Sequence, residues 1–237
     1  MSQPFVSLVT PTYNRRRFIP SLIRAIQQQT YPKEKMEWII FDDGQEPVGD
    51  LFEAARDSLP TVKYIYSEEK LTLGEKRNKL NELARGDILV AIDDDDFYFP
   101  ERVMTAVTAL NSKPSADLAG SSEVYMFFSD TKEIYKIGPY FQKHATNGTM
   151  AWRKRYALSR SYDETVAFAE EKSFLEGYKN DLIQLNPMKV MLVISHSDNT
   201  FDKTELRTKD NPMIKKTNLT LKDFIKDPVL RYFYANA

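Results

Sequence analysis

Residues 90–103 read VAIDDDDFYFPERV. An apolar, β-branched run, Asp87 to Ile92 (DILVAI), ends in four carboxylates, Asp93 to Asp96. A helix is expected from Pro100 to Leu110, with proline in its first turn. Four adjacent carboxylates repel one another, so without counter-charge some of their pKa values rise and stability falls. A divalent cation relieves that repulsion. In an extended segment residues two apart face the same way, so Asp93 and Asp95 are expected to share one ligand while Asp94 faces another. Mg²⁺ or Mn²⁺, held by one or two carboxylates with phosphate and water completing its shell, suits such a cluster. The competing reading is a solvated loop that caps the following helix, which requires one aspartate, Asp96, rather than four.

The same strand-then-polar unit recurs toward the N-terminus. FVSLVT (Phe5 to Thr10) reads as a buried strand stopped by Pro11, followed by a helix from Ile19 to Gln29. EWIIF (Glu37 to Phe41) is a second strand running into Asp42-Asp43, followed by a helix from Leu51 to Leu59. VKYIYS (Val62 to Ser67) is a third, followed by a helix from Glu75 to Ala84 that Arg85-Gly86 ends. This alternation predicts a single α/β domain around a mostly parallel, doubly wound, Rossmann-like sheet. Ligands of such sheets bind beyond the carboxyl ends of the strands. Pro11-Thr12-Tyr13-Asn14, Asp42-Asp43 and Asp93 to Asp96 all fall there. The second half is less regular and predicts a smaller mixed part. Ala116 to Phe128, Glu133 to Ile137 and Thr149 to Trp152 read as strands, and Asp163 to Leu175 as a helix. VMLVIS (Val190 to Ser195) reads as a strand followed by His196. The expected divisions are 1–110, 111–202 and a basic, aromatic C-terminal arm, 203–237.

Composition narrows the chemistry. The 237 residues, 42% hydrophobic and 28% charged, suit a well-buried globular chain. With 33 basic against 34 acidic residues, the chain lacks the excess cationic charge that nucleic-acid binding needs. The absence of cysteine excludes disulfides, thiolate zinc sites, iron–sulfur clusters and a cysteine nucleophile. Two histidines, His144 and His196, exclude a three-histidine metal site and favour an oxygen-ligated ion. No stretch approaches the roughly 20 apolar residues of a membrane span. Met1-Ser2-Gln3-Pro4 does not begin a secretory signal, so the Asn147 and Asn218 glycosylation triplets are read as chance and a cytoplasmic location is expected. There is no G-x-G-x-x-G, and Gly44 and Gly49 are followed by Asp50-Leu51 where a P-loop requires Lys and Ser/Thr. The phosphates of any bound nucleotide must be neutralised in another way.

The run at 90–103 resembles the D-x-D region of family 2 glycosyltransferases with the GT-A fold. Three further segments match in order: VSLVTPTYNRRRFI (6–19), IIFDDG (39–44) and LGEKRNKLNELARGD (73–87). The resemblance spans about residues 5 to 200, is most specific from Phe5 to Val103, and is to short stand-alone versions such as those of bacteria and large DNA viruses. It implies a metal-dependent, inverting transfer from a nucleoside-diphosphate sugar, UDP-linked, to a hydroxyl of a glycan, glycoprotein or lipid-linked acceptor, by a monomer or homodimer.

The resemblance also implies site residues. Pro11, Thr12, Tyr13 and Arg15 line the donor pocket, with the Tyr13 ring offered to the base. Asp43 accepts a hydrogen bond from base or ribose. Arg77, with Lys76 nearby, faces the diphosphate. Asp94 contacts ribose, Asp93 lies beside it, and Asp95 binds Mn²⁺ or Mg²⁺ with His196 completing the shell. The general base falls in FAEEKSF (168–174) at Glu171, with Glu170 in reserve; a Glu-Glu pair replaces the family's Glu-Asp, and Asp163 and Glu164 share the segment. In GTMAWR (148–153), Trp152 either stacks on an acceptor sugar or is a core residue. His144 is read as a satisfied loop histidine. The arm packs on the domain or touches a membrane surface, and Pro228 is expected to break its helix. Two alternatives are a nucleotidyltransferase and a non-catalytic carbohydrate- or cation-binding module on the same fold.

Overall fold

The computed structural model describes residues 3–166, 169–199, 203–208 and 211–237. The order begins with β1 (Val6–Thr12), α1 (Ile19–Gln27), β2 (Met36–Asp42), α2 (Gly49–Ala54), β3 (Thr61–Tyr66), α3 (Leu73–Leu83) and β4 (Ile88–Ala91). The expected alternation is therefore present, and β3, β2, β1 and β4 lie side by side in parallel. Strands β1, β2 and β4 are buried along their whole length, which is why they read as continuous apolar runs. Pro11 does not stop β1. Odd-numbered residues of β1 turn their polar groups toward β4, as the bond from Ile92 N to Val9 O shows, and the β4 ladder ends at Val9. The N–H that Pro11 lacks therefore faces no partner strand, and pairing with β2 continues through Thr12.

After the aspartates come β5 (Phe97–Tyr98) and α4 (Arg102–Ser112), then β6 (Leu118–Gly120), β7 (Val124–Phe128) and β8 (Glu133–Ile137). The single strand expected over 116–128 is two, and they belong to different sheets. The remaining elements are β9 (Ala151–Arg153), α5 (Lys154–Ala157), α6 (Glu171–Phe174), β10 (Ile183–Gln184), β11 (Met191–Ser195), β12 (Ile214–Lys216), α7 (Leu221–Phe224) and α8 (Pro228–Ala235). The first sheet runs β10-β6-β9-β4-β1-β2-β3, with β9 antiparallel to both its neighbours. The second, β12-β8-β7-β11-β5, is mixed. This is an α/β architecture with the expected parallel half and mixed half.

Two further expectations are corrected, and of the two readings of the arm the packed one holds. Among the described residues of 163–175 the helix is only α6: Thr165 N and Oγ1 both bond to Asp163 Oδ1 in a local turn, and Ala169 has φ 58, left-handed backbone that breaks helical continuity. Pro228 starts α8 rather than breaking it, in the first turn where its missing N–H is harmless, with Asp227 as cap. The arm is not an appendage. β12 extends the second sheet, and Leu221, Phe224, Ile225, Leu230 and Tyr234 are buried against Phe97, Phe127, Leu192 and Ile194. The apolar face that would have met a lipid surface is inside, leaving Val229 and Tyr232 outward. No helix among the described residues is long and apolar enough to cross a membrane.

Candidate active site

The site lies where the carboxyl ends of β1, β2 and β4 meet the second sheet. At the β1–β2 end, Asp43 is buried; it accepts from Lys76 Nζ at 2.7 Å and from Leu71 N at 2.8 Å. Lys76 Nζ also reaches Thr12 O at 3.3 Å. Lys76 is thus committed to the Asp43 side. The Tyr13 ring lies beside it with Lys70 Nζ 4.2 Å from its centroid, so one face is already under a cation. Asp42 is equally buried and is spent on the chain, accepting from Gly44 N, Val48 N and the Tyr64 hydroxyl.

The four aspartates point in different directions, because 93–96 is a bend and not an extended strand. Asp93 pairs with Arg77 (3.1 Å). Arg15 lies 3.9 Å from Asp94 and 3.6 Å from Asp95, so these two, not Asp93 and Asp95, share a counter-charge. Burial and the neighbouring Asp95 charge push Asp94 up to about 7. Burial pushes Asp95 the same way, but the His196 hydrogen bond and the charges of Lys203 and Arg15 hold it down at about 2. Asp96 does not cap α4. It accepts from Ile194 N at 2.7 Å, clamping the bend to β11, and burial holds its pKa well above the usual carboxylate range.

Arg77 joins the two halves of the chain. Nε donates to Glu170 (2.8 Å), Nη2 to Asp93 (3.1 Å), and Nη1 to the Asn147 amide oxygen (2.7 Å) in the amide orientation that satisfies all its neighbours. In that orientation Asn147 also donates to the Tyr162 hydroxyl (2.8 Å), and Tyr162 stacks on Phe174 of α6 at 4.2 Å and 7°. The capping box of Thr72 and Glu75 fixes the start of α3, the helix that carries Lys76 and Arg77. The two glutamates separate: Glu170 is buried and bound to Arg77, while Glu171 is only partly buried and, among the described residues, has no cation against its carboxylate at ion-pair distance. Burial, then the charge of Glu170, pushes Glu171 up to about 7. The sequence-matched stretch begins at Phe168, which lies outside the described residues. Asp163 and Glu164 are exposed turn residues.

Trp152 is a core residue, 2% exposed, with Nε1 bonded to Asn81; this corrects its acceptor-side reading. Sequence reasoning did not find Asn147, Tyr162 or Arg102. Arg102 is fully buried and donates to the carbonyls of Met150 (2.7 Å), Ala91 and Gly148, and burial lowers its pKa to about 10. Its signal was the charged pair Glu101-Arg102 closing the quoted run, read there only as part of a pattern.

Among the described residues no group of three or more His, Cys, Asp or Glu side chains is placed to hold a metal. Two candidate ligands do converge: Asp95 Oδ2 and His196 Nε2 are 3.1 Å apart. Adjacent ligands on an octahedral ion with bonds of about 2.1 Å lie about 3 Å apart, so donor type and spacing fit Mn²⁺ or Mg²⁺. The Asn199 side-chain nitrogen donates to Asp95 Oδ2 at 3.2 Å, occupying a carboxylate lone pair that a cation would take. His196 Nδ1 accepts from Asp198 N at 3.2 Å, whereas a metal-bound imidazole donates from its second nitrogen. For these two groups to hold an ion, the 197–199 turn would have to shift.

Residues 7–169 match the profile of Glycosyl transferase family 2. An uncharacterized glycosyltransferase of Methanocaldococcus jannaschii is 23% identical over 78% of this chain and 69% of its own length. Glycosyltransferase AglE of Haloferax volcanii is 29% identical over 69% of this chain and 64% of its own. Among solved structures, Staphylococcus aureus TarS 1–349 in complex with UDP-GlcNAc superposes with TM-score 0.66 at 20% identity, covering 82% of this chain and 59% of that one. The mannosyltransferase PcManGT of Pyrobaculum calidifontis, in complex with GDP-Man and Mn²⁺, superposes with TM-score 0.65 at 16% identity, over 84% and 59%. These two show the GT-A fold. The chain spans about three fifths to two thirds of the length of these relatives.

Proposed function

The chain belongs to glycosyl transferase family 2, and on that basis we propose that it moves a sugar from a UDP-linked donor to an acceptor hydroxyl with inversion, in the presence of Mn²⁺ or Mg²⁺. The acceptor class is a glycan, glycoprotein or lipid-linked sugar. The observation that carries the reading is Arg77: from α3 it binds Asp93 on the donor side and Glu170 on the acceptor side, leaving neighbouring Glu171 without an ion-pair partner among the described residues and with a pKa of about 7. A base of that pKa is half ionised at neutral pH and still basic enough to take a hydroxyl proton. The structures in complex with UDP-GlcNAc and with GDP-Man and Mn²⁺ support a nucleotide-sugar donor.

In this mechanism Tyr13, Asp43 and Asp94 orient the nucleoside, and Arg15 and Arg77 lie along the diphosphate. Asp95 and His196 would hold the ion, which supplies charge neutralisation to the diphosphate. Glu171 accepts the acceptor proton as the acceptor oxygen bonds to the anomeric carbon. The bond from that carbon to the diphosphate oxygen breaks on the opposite face, and the diphosphate leaves with the electron pair. Fixed cations beside the leaving group stabilise the charge that develops on it. The test is Glu171→Gln assayed with a panel of UDP-, GDP- and dTDP-sugars and Mn²⁺. Loss of transfer with donor-induced thermal stabilisation retained is expected, and unchanged transfer would remove Glu171 from the mechanism. Asp95→Ala should erase the Mn²⁺-dependent part of that stabilisation.

A further inference from the structure

Beside α6 two segments, 138–146 and 176–180, bring four rings together. Tyr140 and His144 have centroids 4.7 Å apart, His144 and Tyr178 5.0 Å, and Phe141 and Tyr178 5.4 Å at 89°. Tyr140 is 39% and Phe141 51% exposed, so adjacent aromatic faces are open to solvent. The exposure is built in. Gln184 Nε2 donates to the carbonyls of Gln142 (2.8 Å) and His144 (3.0 Å), Lys143 Nζ to that of Lys179 (2.9 Å), and Tyr140 N to that of Ser122 (3.1 Å).

The cluster adjoins the reacting groups. Gly177 N bonds to Lys172 O at 2.8 Å, winding Tyr178 directly onto the helix that begins at Glu171. The charges of Glu171 and Glu170 add to burial in pushing the Tyr178 hydroxyl up to about 12. Three residues beyond His144, Asn147 touches Arg77. Among the described residues His144 Nδ1 has no hydrogen-bond partner and is closed to solvent, so this histidine is not the satisfied loop residue expected from the sequence.

Taking the glycosyltransfer reading as its premise, we propose that Tyr140, Phe141, His144 and Tyr178 form the acceptor platform, and that its occupant is a pyranose ring of the acceptor. A pyranose pairs a face of C–H groups, attracted to the negative face of an aromatic ring, with hydroxyls at its edge that seek donors and acceptors. Exposed rings with the exposed polar side chains of Gln142 and Lys143 beside them in the chain match that combination. An acyl chain needs a continuous apolar groove, and here Gln142, Lys143 and Asp181 interrupt the surface.

The test uses methyl glycosides of glucose, galactose, mannose and N-acetylglucosamine, followed by saturation-transfer NMR without donor. At least one is expected to bind, with affinity reduced about tenfold in Phe141→Ala and restored in Phe141→Trp, while melting temperature and UDP binding stay unchanged. Binding that is absent from the wild type, or equal in Phe141→Ala, overturns the platform. Failure here is distinguishable from failure of the transferase reading. Glycosides that bind to the platform of a protein that transfers no sugar would refute only the catalysis, and transfer with an acceptor KM unmoved by Phe141→Ala would refute only the platform.

Discussion

Glu170 and Glu171 are neighbours in the chain with opposite electrostatic lives. The left-handed φ of 58 at Ala169 turns the backbone just before them, sending one carboxylate onto Arg77 and leaving the other without an ion-pair partner among the described residues. Glu171→Gln should lower kcat by about 10²–10⁴ with donor affinity retained. The wild-type rate should rise with pH through about 7, where Glu171 ionises, and the variant should lack that limb. The stability consequence has a definite sign. A carboxyl whose folded pKa lies above its unfolded value binds more protons when folded, so its contribution falls as pH rises from about 4.5 to about 7. At pH 8 Glu171→Gln should therefore be more stable than wild type, by about 1–2 kcal/mol in urea titration, with the gain vanishing below pH 5. Arg77→Ala should do the reverse and destabilise by about 3–5 kcal/mol, since it strands Glu170 and Asp93 as unpaired buried charges. None of this division could be read from Glu-Glu as letters. Both residues suit a helix start, and only the turn at Ala169 and the long-range partner from α3 tell them apart.

Among the elements, the parallel strands were legible because β1, β2 and β4 are buried on both faces, and a uniformly apolar run is the mark of such a strand. Of the short strands, β9 was legible as Thr149 to Trp152, whereas β6 was merged with β7 and β10 was missed, because two or three residues carry too little pattern to show a period. That is why 116–128 read as one strand although it changes sheets; Asn147 before β9 and Tyr162 after α5 went unseen because only the fold brings them together. The approach of α3 to that region is visible only in space. A Cβ on Gly74 would lie 2.2 Å from the Asp163 carbonyl oxygen, a contact no side chain tolerates. Gly74→Ala must push the 163–164 turn away from α3, and that turn leads to Glu170 and Glu171. The expected result is a loss of about 1–3 kcal/mol of stability, together with a fall in kcat that exceeds any change in donor affinity. A variant with wild-type kcat would show that the turn moves independently of the glutamates.

At the scale of the whole molecule, the site is a seam between two sheets, and the C-terminal arm closes one side of it. The Tyr234 hydroxyl donates to Asp96 O at 3.0 Å, and Asp96 in turn holds Ile194 in β11, one residue before Ser195 and two before His196. Arg24 of α1 anchors the arm through Asp227 at 2.7 Å, and Phe233 meets Phe18 edge-on at 5.6 Å, the ring that also packs on His196 at 4.4 Å. Hydrophobic spacing in the arm showed that it would pack somewhere. Several of its partners, Phe18, Arg24 and Asp96, lie more than a hundred positions upstream, so the position of the seam could not be inferred. The linkage makes a prediction with two separable parts. Tyr234→Phe keeps the ring and removes one buried hydrogen bond, so the stability loss should be about 1 kcal/mol. The Asp96 backbone would lose a restraint beside Asp95, so the melting-temperature rise produced by Mn²⁺ with UDP should shrink by more than the rise produced by UDP alone. If the arm were only a hydrophobic cover, both rises would be unchanged and only the baseline melting temperature would fall.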